Sequence, residues 1–455
     1  MKKKALFSSI LTIALCLCLI AGSTFALFTS ETKVSISVTA GKVEMIASVD
    51  SLKLYSVEAK DGGTEVDEFG NTYEYVEQTG EFANTGTAVF DESTATLTLN
   101  RITPGDKVEF NVTGANNSDV KILYRYKVTC TDGFALMSGL VVTIDGAKYE
   151  SLSSFTSPWA ELAAGTAMNN VPVAIELPVK AGNEYQTLTT AITVTVEAVQ
   201  ANAKVEDNTA PVVTYIEKID NAADAATAIA DSTTDYVMLT ADIADQIVVD
   251  ADVSNKTIDA CGNDVSFDFN GKLENVVVTG IVTENAKRAV DVVNASGDIA
   301  IVDCTLISGS GTGASAIGHG PNVNVTVDRC NISSNGIGKT YGMYYSGASG
   351  SLIITNSVFG EFTSWTITSN STINGDVVID NCVFNTKDGV FKTLGGGITG
   401  DFTFTNNTMN GCYGHDGSET NPKLNNLVVS GSGPVVCGGT KTVSGNIRNG
   451  VEWTQ

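Results

Sequence analysis

Ile301-Val-Asp-Cys-Thr-Leu306 and Ile379-Asp-Asn-Cys-Val-Phe384 decide the fold of the C-terminal half. Each has apolar residues at both ends and a cysteine fourth. The pattern recurs as Val327-Asp-Arg-Cys-Asn-Ile332, Ile354-Thr-Asn-Ser-Val-Phe359 and Phe404-Thr-Asn-Asn-Thr-Met409, with a weaker copy at Val276-Val-Val-Thr-Gly-Ile281. Successive starts are 25, 26, 27, 25 and 25 residues apart. A second element keeps step at Ala289–Val293, Ala314–Gly318, Tyr341–Tyr345 and Gly389–Thr393, with a copy near Ser364–Thr368. Helical solenoids need longer units, commonly about 33 residues or more. A 25-residue unit of short strands fits one coil of a right-handed parallel β-helix, expected over residues 236–455.

Stacked coils place equivalent residues above one another. Thr279, Cys304, Cys330, Ser357, Cys382 and Asn407 are then expected to form one internal ladder, and Asn356, Asn381 and Asn406 another. This explains most cysteines as buried, reduced thiols. Nine are present, two of them (Cys16 and Cys18) near the N-terminus, and the absence of CxxC pairs argues against structural zinc. Whether Cys130, Cys261 and Cys437 pair is left open by the sequence.

Working outward, residues 206–235 read as a linker followed by a short Ala-rich helix at Ala222–Ile229, which would cover the first open coil. Before it, residues 27–205 hold alternating stretches such as Lys107–Val112, Val171–Val179 and Leu188–Val199. In the last, Ile192, Val194 and Val196 share one side. Seven or more such strands predict an antiparallel, jelly-roll-like β-sandwich. Residues 58–93, acidic and Gly-rich, read as a long insertion between strands. The whole chain is therefore expected to be all-β.

Residues 1–26 have the layout of a signal peptide. Lys2, Lys3 and Lys4 precede an apolar run, and Thr24 and Ala26 occupy the −3 and −1 positions of a cut before Leu27. The expected location is secreted, at the cell surface or in a biofilm matrix, without membrane attachment after cleavage. Acidic residues outnumber basic ones 51 to 27, for a formal charge of −24. Such a field repels phosphate backbones and excludes nucleic acid as a partner. No cofactor is expected. Calcium would be attracted by the acidity, but no motif supports a site.

Gly22-Ser-Thr-Phe-Ala-Leu-Phe28, Ala40-Gly-Lys-Val-Glu-Met45, Ile102-Thr-Pro-Gly-Asp106 and Asn116-Asn-Ser118 together resemble the TasA/camelysin family of exported Gram-positive proteins. The resemblance covers about residues 1–200. It implies a jelly-roll sandwich and, as in several members, matrix fibres. It also implies an assembly strand near the mature N-terminus, involving Leu27, Phe28, Val34, Ile36 and Val38, that completes a neighbour's sheet. The same alternation equally suits pairing within its own sandwich. Camelysin-type proteolysis is not supported, because the chain has only His319 and His415 and no His-Glu-x-x-His.

The repeats are similar to the pectate-lyase-like β-helix superfamily, whose fold alone assigns no chemistry. Gly318-His319-Gly320 and Asn385-Thr-Lys-Asp-Gly389 resemble polygalacturonase fragments, but in reversed order and with Lys387 displacing the acid. His319 is expected at the start of a turn, in a structural role. Asp291, Asp303, Asp328 and Asp380 recur near rung positions without an accompanying basic cluster. Glycoside hydrolysis needs two carboxylates across one bond, and no such pair is visible. Tyr341, Tyr344, Tyr345, Trp365 and Tyr413 are candidate glycan contacts. The expectation is therefore a structural or adhesive protein, not an enzyme, with fibre self-assembly and polysaccharide as its partner classes. The alternative is an extracellular polysaccharide-active enzyme with a sandwich accessory domain.

Overall fold

The computed structural model describes residues 29–33, 38–40, 43–206, 209–286, 288–309, 314–335, 340–345, 350–360, 362, 364–386, 388–393, 397–412, 427–430 and 433–453. The chain is all-β and divides into two compact units, residues 1–216 and 217–455. The first is an antiparallel sandwich and the second a right-handed parallel β-helix.

One sandwich sheet is built around Thr189–Gln200. That strand pairs along one edge with Ile122–Asp132, and along the other with Thr96–Asn100 and then Thr29–Lys33. The second sheet runs in the order Ala147–Glu150, Val141–Ile144, Val171–Glu176, Lys107–Asn116, Val43–Ala59, Thr72–Gln78. Period-two alternation decides what lies between the sheets. Val108, Phe110 and Val112 turn inward with Val173 and Ile175, against Leu97, Leu99, Val128 and Ile192. Residues 58–93, expected as an insertion, instead hold the strands Glu65–Val66, Thr72–Gln78 and Thr87–Asp91. Glycine-rich turns hid the Tyr73, Tyr75 alternation.

Asp106, in the Pro104-Gly105-Asp106 turn, is buried. Its carboxylate accepts from the Thr103 amide (2.7 Å), Thr103 Oγ1 (2.9 Å) and Ser56 Oγ (2.6 Å). Asn116 is fully buried. Its Nδ2 donates to the carbonyls of Val120, Leu162 and Ala163, and its Oδ1 accepts from the Ser118 amide. These contacts give structural roles to two of the quoted motifs.

The expected linker is partly a strand, Val212–Ile219, whose first residues pair with Leu152–Thr156. A helix follows at Ala222–Ala230, capped by Asn221, whose side chain accepts from the Asp224 amide. Lys256, in the strand Val253–Asp259 of the second coil, is buried. Its ammonium donates to the carbonyls of Ala228 (3.3 Å), Asp231 (2.6 Å) and Thr234, and so binds the open C-terminal end of the helix to the β-helix.

The six coils from Lys272 to Ser430 each have three strands, and the two before them have strands only in the first and third sheets. The first sheet, S1, stacks Thr234–Leu239, Val253–Asp259, Lys272–Thr279, Ser296–Val302, Val323–Asp328, Leu352–Thr355, Val377–Asp380, Phe402–Thr405 and Lys441–Ser444. A two-residue corner leads to S2, which includes Thr305–Ser308, Asn331–Ser334 and Val383–Asn385. A longer connection leads to S3, which includes Phe267–Phe269, Val290–Val292, Ala314–His319, Thr340–Tyr345, Ile367–Ser369 and Phe391–Thr393. Asp303, Arg329, Asn356, Asn381 and Asn406 occupy the S1–S2 corner, all with φ between 51° and 55°. The sharp bend demands a left-handed residue there, a conformation in which Asn and Asp are enriched. Asn381 Nδ2 donates to Asn356 Oδ1 at 2.7 Å, whereas Asn406 donates to Asp380.

Inside the corner, Cys304, Cys330, Ser357, Cys382 and Asn407 stack as expected, and Asn446 extends the ladder. Thr279 does not belong to it. Val278 pairs with Ile301 and Thr279 with Val302, so Ile281 takes the place below Cys304. That coil is two residues shorter than the repeat suggested. None of the seven described cysteines, Cys130, Cys261 and Cys437 among them, forms a disulfide.

Candidate functional site

Successive side chains of a strand face opposite ways. In S3, Phe267, Phe269, Val290 and Val292 fill the core, so Asp268 and Asp291 face outward. Asp268 pairs with Asp291, Asp291 with Gly318, Gly318 with Tyr344, Tyr344 with Thr368 and Thr368 with Lys392. Two carboxylates are thus stacked on neighbouring rungs, with a tyrosine two rungs beyond.

The two acids have different surroundings. Arg288 Nη1 lies 2.5 Å from Asp291 Oδ2, while Asp291 Oδ1 accepts from the Val293 amide at 3.1 Å. Arg288 and Asp291 are 22% and 17% exposed, so the ion pair is largely shielded from water. Burial pushes the Asp268 carboxyl up, and the negative charges of Asp291 and Asp250 push it further, against a smaller pull from Arg288. One carboxyl is therefore biased toward holding a proton beside another that is paired with a cation. Gly318 makes the arrangement possible, since a Cβ there would come within 2.6 Å of Arg288 Cδ and 2.7 Å of Asp291 Oδ1.

The sequence reading missed this pair and its cation. Phe267-Asp268-Phe269 and Val290-Asp291-Val292 carry the same apolar–Asp–apolar signature in successive coils, but Asp268 lies before the copies recognised as repeats. Arg288 stands three residues before Asp291.

Other expected positions fall elsewhere. His319 does not open a turn. It ends its S3 strand, faces the core with no exposed surface, and stacks between Val292 and Tyr345. Burial lowers its pKa to about 3, with backbone groups of Gly320 and Val323 pulling weakly the other way. As glycan platforms, Tyr341 and Trp365 are corrected: they are 7% and 5% exposed. Tyr341 packs on the Tyr344 ring (centroids 5.2 Å apart), and Trp365 sits close over Gly389 with Lys392 Nζ 5.4 Å from its ring. Tyr344 is half-buried, and its hydroxyl meets Asn370 Nδ2. Tyr345 pairs with Ser369 through its backbone. Tyr413, the side chain of Tyr345, and Thr24, Ala26, Leu27, Phe28, Val34 and Ile36 lie outside the described residues. Val38 begins Val38–Ala40, which pairs with Val43–Ala59 of the same chain, and Thr29–Lys33 pairs with Thr189–Gln200, also of the same chain. Among the described residues no three His, Cys, Asp or Glu gather as a metal site, and no helix is long and apolar enough to cross a membrane.

No family model, the TasA/camelysin family included, and no curated protein matches the chain. Among solved structures it is similar to the catalytic unit of a thermostable GH87 α-1,3-glucanase from Streptomyces thermodiastaticus strain HF3-3. The identity is 14% over 82% of this chain and 96% of that one, with a TM-score of 0.15. It is also similar to the Agl-KA catalytic domain, at 10% identity over 92% and 98% of the two chains and a TM-score of 0.15. Both neighbours are catalytic domains, which runs against the expectation that this chain is not an enzyme. Likeness at this level carries no argument about substrate or mechanism; those rest on the chain's own residues.

Proposed function

We propose that the chain is an exported, polysaccharide-active glycoside hydrolase whose active site is the outer face of S3. The observation that carries this reading is the stacking of Asp268 on Asp291 with opposite electrostatic surroundings. Glycosidic cleavage needs an acid that retains its proton and a carboxylate that stays ionised. Asp268 is suited to protonate the leaving oxygen. Asp291, held by Arg288, is suited to attack or stabilise the sugar carbon. Neighbouring strands lie about 4.8 Å apart, close to the roughly 5–5.5 Å carboxylate spacing of retaining enzymes. The reaction is therefore expected to keep the anomeric configuration. Tyr344 is placed to offer part of its ring to an adjacent sugar. The leader at residues 1–26 supports an extracellular location for this chemistry.

The test is reducing-sugar release from a panel of soluble polysaccharides, followed by NMR of the first anomer formed. Asp268→Asn and Asp291→Asn should each lower the rate by about 10²–10⁴-fold, Asp268→Asn without lowering the melting temperature. The rate should fall on the alkaline side as Asp268 loses its proton. No release from any polymer, or release unchanged in both variants, would remove the proposal.

A further inference from the structure

The sandwich carries a second concave surface that plays no part in the S3 chemistry. On the outer side of its second sheet, a groove of about 560 Å³ crosses four strands: Val43–Ala59, Lys107–Asn116, Val171–Glu176 and Val141–Ile144. The residues explain why a groove forms there. Its floor consists of short outward side chains, with Ala174 flanked across the strands by Glu109 and Thr143, and Asn111 beside Pro172. One wall is Tyr55 and Lys53, just past a register shift between Asp50 and Lys53 where Ser51 adopts φ 59°. A bulge of this kind bends its strand. The opposite wall is Gly146, in the hairpin turn after Val141–Ile144, where φ is 81°.

The two charged residues that line the groove, Lys53 and Glu109, are already matched. Lys53 Nζ lies 3.4 Å from Glu77, Lys107 Nζ lies 2.8 Å from Glu109, and Lys148 Nζ lies 3.8 Å from Glu176, which also accepts from the Tyr75 hydroxyl. Lys107 also sits 4.8 Å from the centre of the Tyr55 ring, yet does not line the groove. One ring face of Tyr55 is thereby occupied by the ammonium. What remains uncommitted among the described groove residues is the Asn111 amide and the Ser51 and Thr143 hydroxyls, beside an aromatic ring. Such a lining has no net charge with which to hold an ion. It offers hydrogen-bond donors and acceptors plus one apolar surface, the combination that suits a hydroxyl-rich, uncharged ring.

We infer that this groove binds a neutral oligosaccharide, as a non-catalytic anchoring site on the sandwich. The inference does not depend on hydrolysis at S3. Its test is therefore made on the full chain carrying Asp268→Asn, so that no polymer is consumed. Affinity electrophoresis in gels containing dextran, laminarin or arabinoxylan should retard the protein with at least one polymer, whereas polygalacturonate should not. Tyr55→Ala should weaken that binding about tenfold, the weight of one lost stacking contact, and Tyr55→Phe should restore it. Ala174→Gln, which fills the floor from the solvent side and leaves the core untouched, should abolish retardation. Three results would overturn the inference: no retardation by any neutral polymer, retardation unchanged in both Tyr55→Ala and Ala174→Gln, or retardation confined to polygalacturonate. The first two concern the groove alone and leave the S3 hydrolysis assay to stand or fall separately.

Discussion

The sandwich and the β-helix meet the same requirement, the pairing of buried polar groups, by different routes. In the sandwich, strands pair with partners far away in sequence: Met45 lies opposite Asn116, and Thr29 opposite Val199. In the β-helix, each strand pairs with its counterpart one coil on, as when Ile354 meets Ile379 and Ile379 meets Phe404. A buried polar residue of the sandwich must therefore find an individual set of partners. One in the β-helix is met by the next member of its own ladder. Asn116 takes carbonyls from three residues on two segments, while Asn407 bonds to Asn446 above it and to the Cys382 amide below. Repetition makes interior polarity tolerable, because every coil supplies the same answer.

The sharpest way to break this comparison is to remove both amides. Asn116→Ala should destabilise the chain by about 4 kcal/mol, since it leaves several buried groups unpaired at about 1–3 kcal/mol each. Asn407→Ala should cost only about 2 kcal/mol, because Asn446 stays within the ladder. Thermal melting of both variants measures the difference, and equal losses would show that the ladder gives no relief.

Much of this contrast was readable in advance, for a physical reason. A coil that repeats its environment repeats its residues, so Cys304, Cys330 and Cys382 announced the β-helix and its interior ladder. Strand parity survived even where register did not. The slip at Thr279 is two residues, which keeps inward residues inward, and for that reason the error was invisible in the apolar pattern. His319 was misplaced because the copy was ended at Gly318, one residue short of the strand, whose last residue His319 pairs with Tyr345. The acid pair stayed hidden because stacking Asp268 on Asp291 depends on the length of the coil between them, and because Arg288 reaches Asp291 from outside the strand. In the sandwich the strands themselves showed through alternation, but their partners did not, since pairing over long separations leaves no periodic trace. The groove at Asn111 and Ala174 lies wholly within that unreadable part.

The next test concerns the cap. Lys256 is a buried ammonium serving three carbonyls at the end of the only described helix that packs on the coils, and burial lowers its pKa. Lys256→Met keeps the stem and removes the donors. It should cost about 2–3 kcal/mol and raise amide exchange in Ala222–Ala230 and Thr234–Leu239 before the later coils respond. Uniform acceleration over all coils would mean that the helix is no cap.

Acid should separate the two units by the sign and window of their titrations. His319 has a folded pKa of about 3 against an unfolded value of about 6.5. Between those values only the unfolded chain takes up the proton, so stability is lost as pH falls from about 6.5 toward 3. In the sandwich, burial alone would raise the Glu197 carboxyl. Lys127 (2.5 Å) and Arg125 (2.6 Å) outweigh it and hold it below the usual range. Its contribution is complete above the ordinary carboxylate value of about 4.3 and is lost only as pH falls through the lower folded pKa. Melting followed from pH 7 to 4 should therefore weaken the β-helix first, and His319→Leu should flatten that slope while leaving the response below pH 4 in place. A slope unchanged by His319→Leu would place the acid sensitivity elsewhere.

The smallest effects test the corners, where both units hold non-glycine residues at positive φ. Ala95 in the sandwich has φ 56° and is fully buried, and its carbonyl accepts from the Val194 amide; it has no side-chain group that could compensate for the strain. Asn381 in the β-helix has φ 53°, and its side chain donates to Asn356. Glycine relieves the left-handed penalty of about 1–2 kcal/mol and loses about 0.5–1 kcal/mol in chain entropy. Ala95→Gly should therefore be neutral or stabilising by up to about 1 kcal/mol. Asn381→Gly gives less back, because Asn already tolerates the conformation and the substitution removes a rung of the ladder, so it should destabilise by about 0.5–1 kcal/mol. Denaturant titration resolves the opposite signs. If both variants gain stability, the corner asparagines are present for their backbone conformation alone and the side-chain ladder adds nothing. If they differ as expected, stacking like on like is what turns a strained corner into a stabilising one.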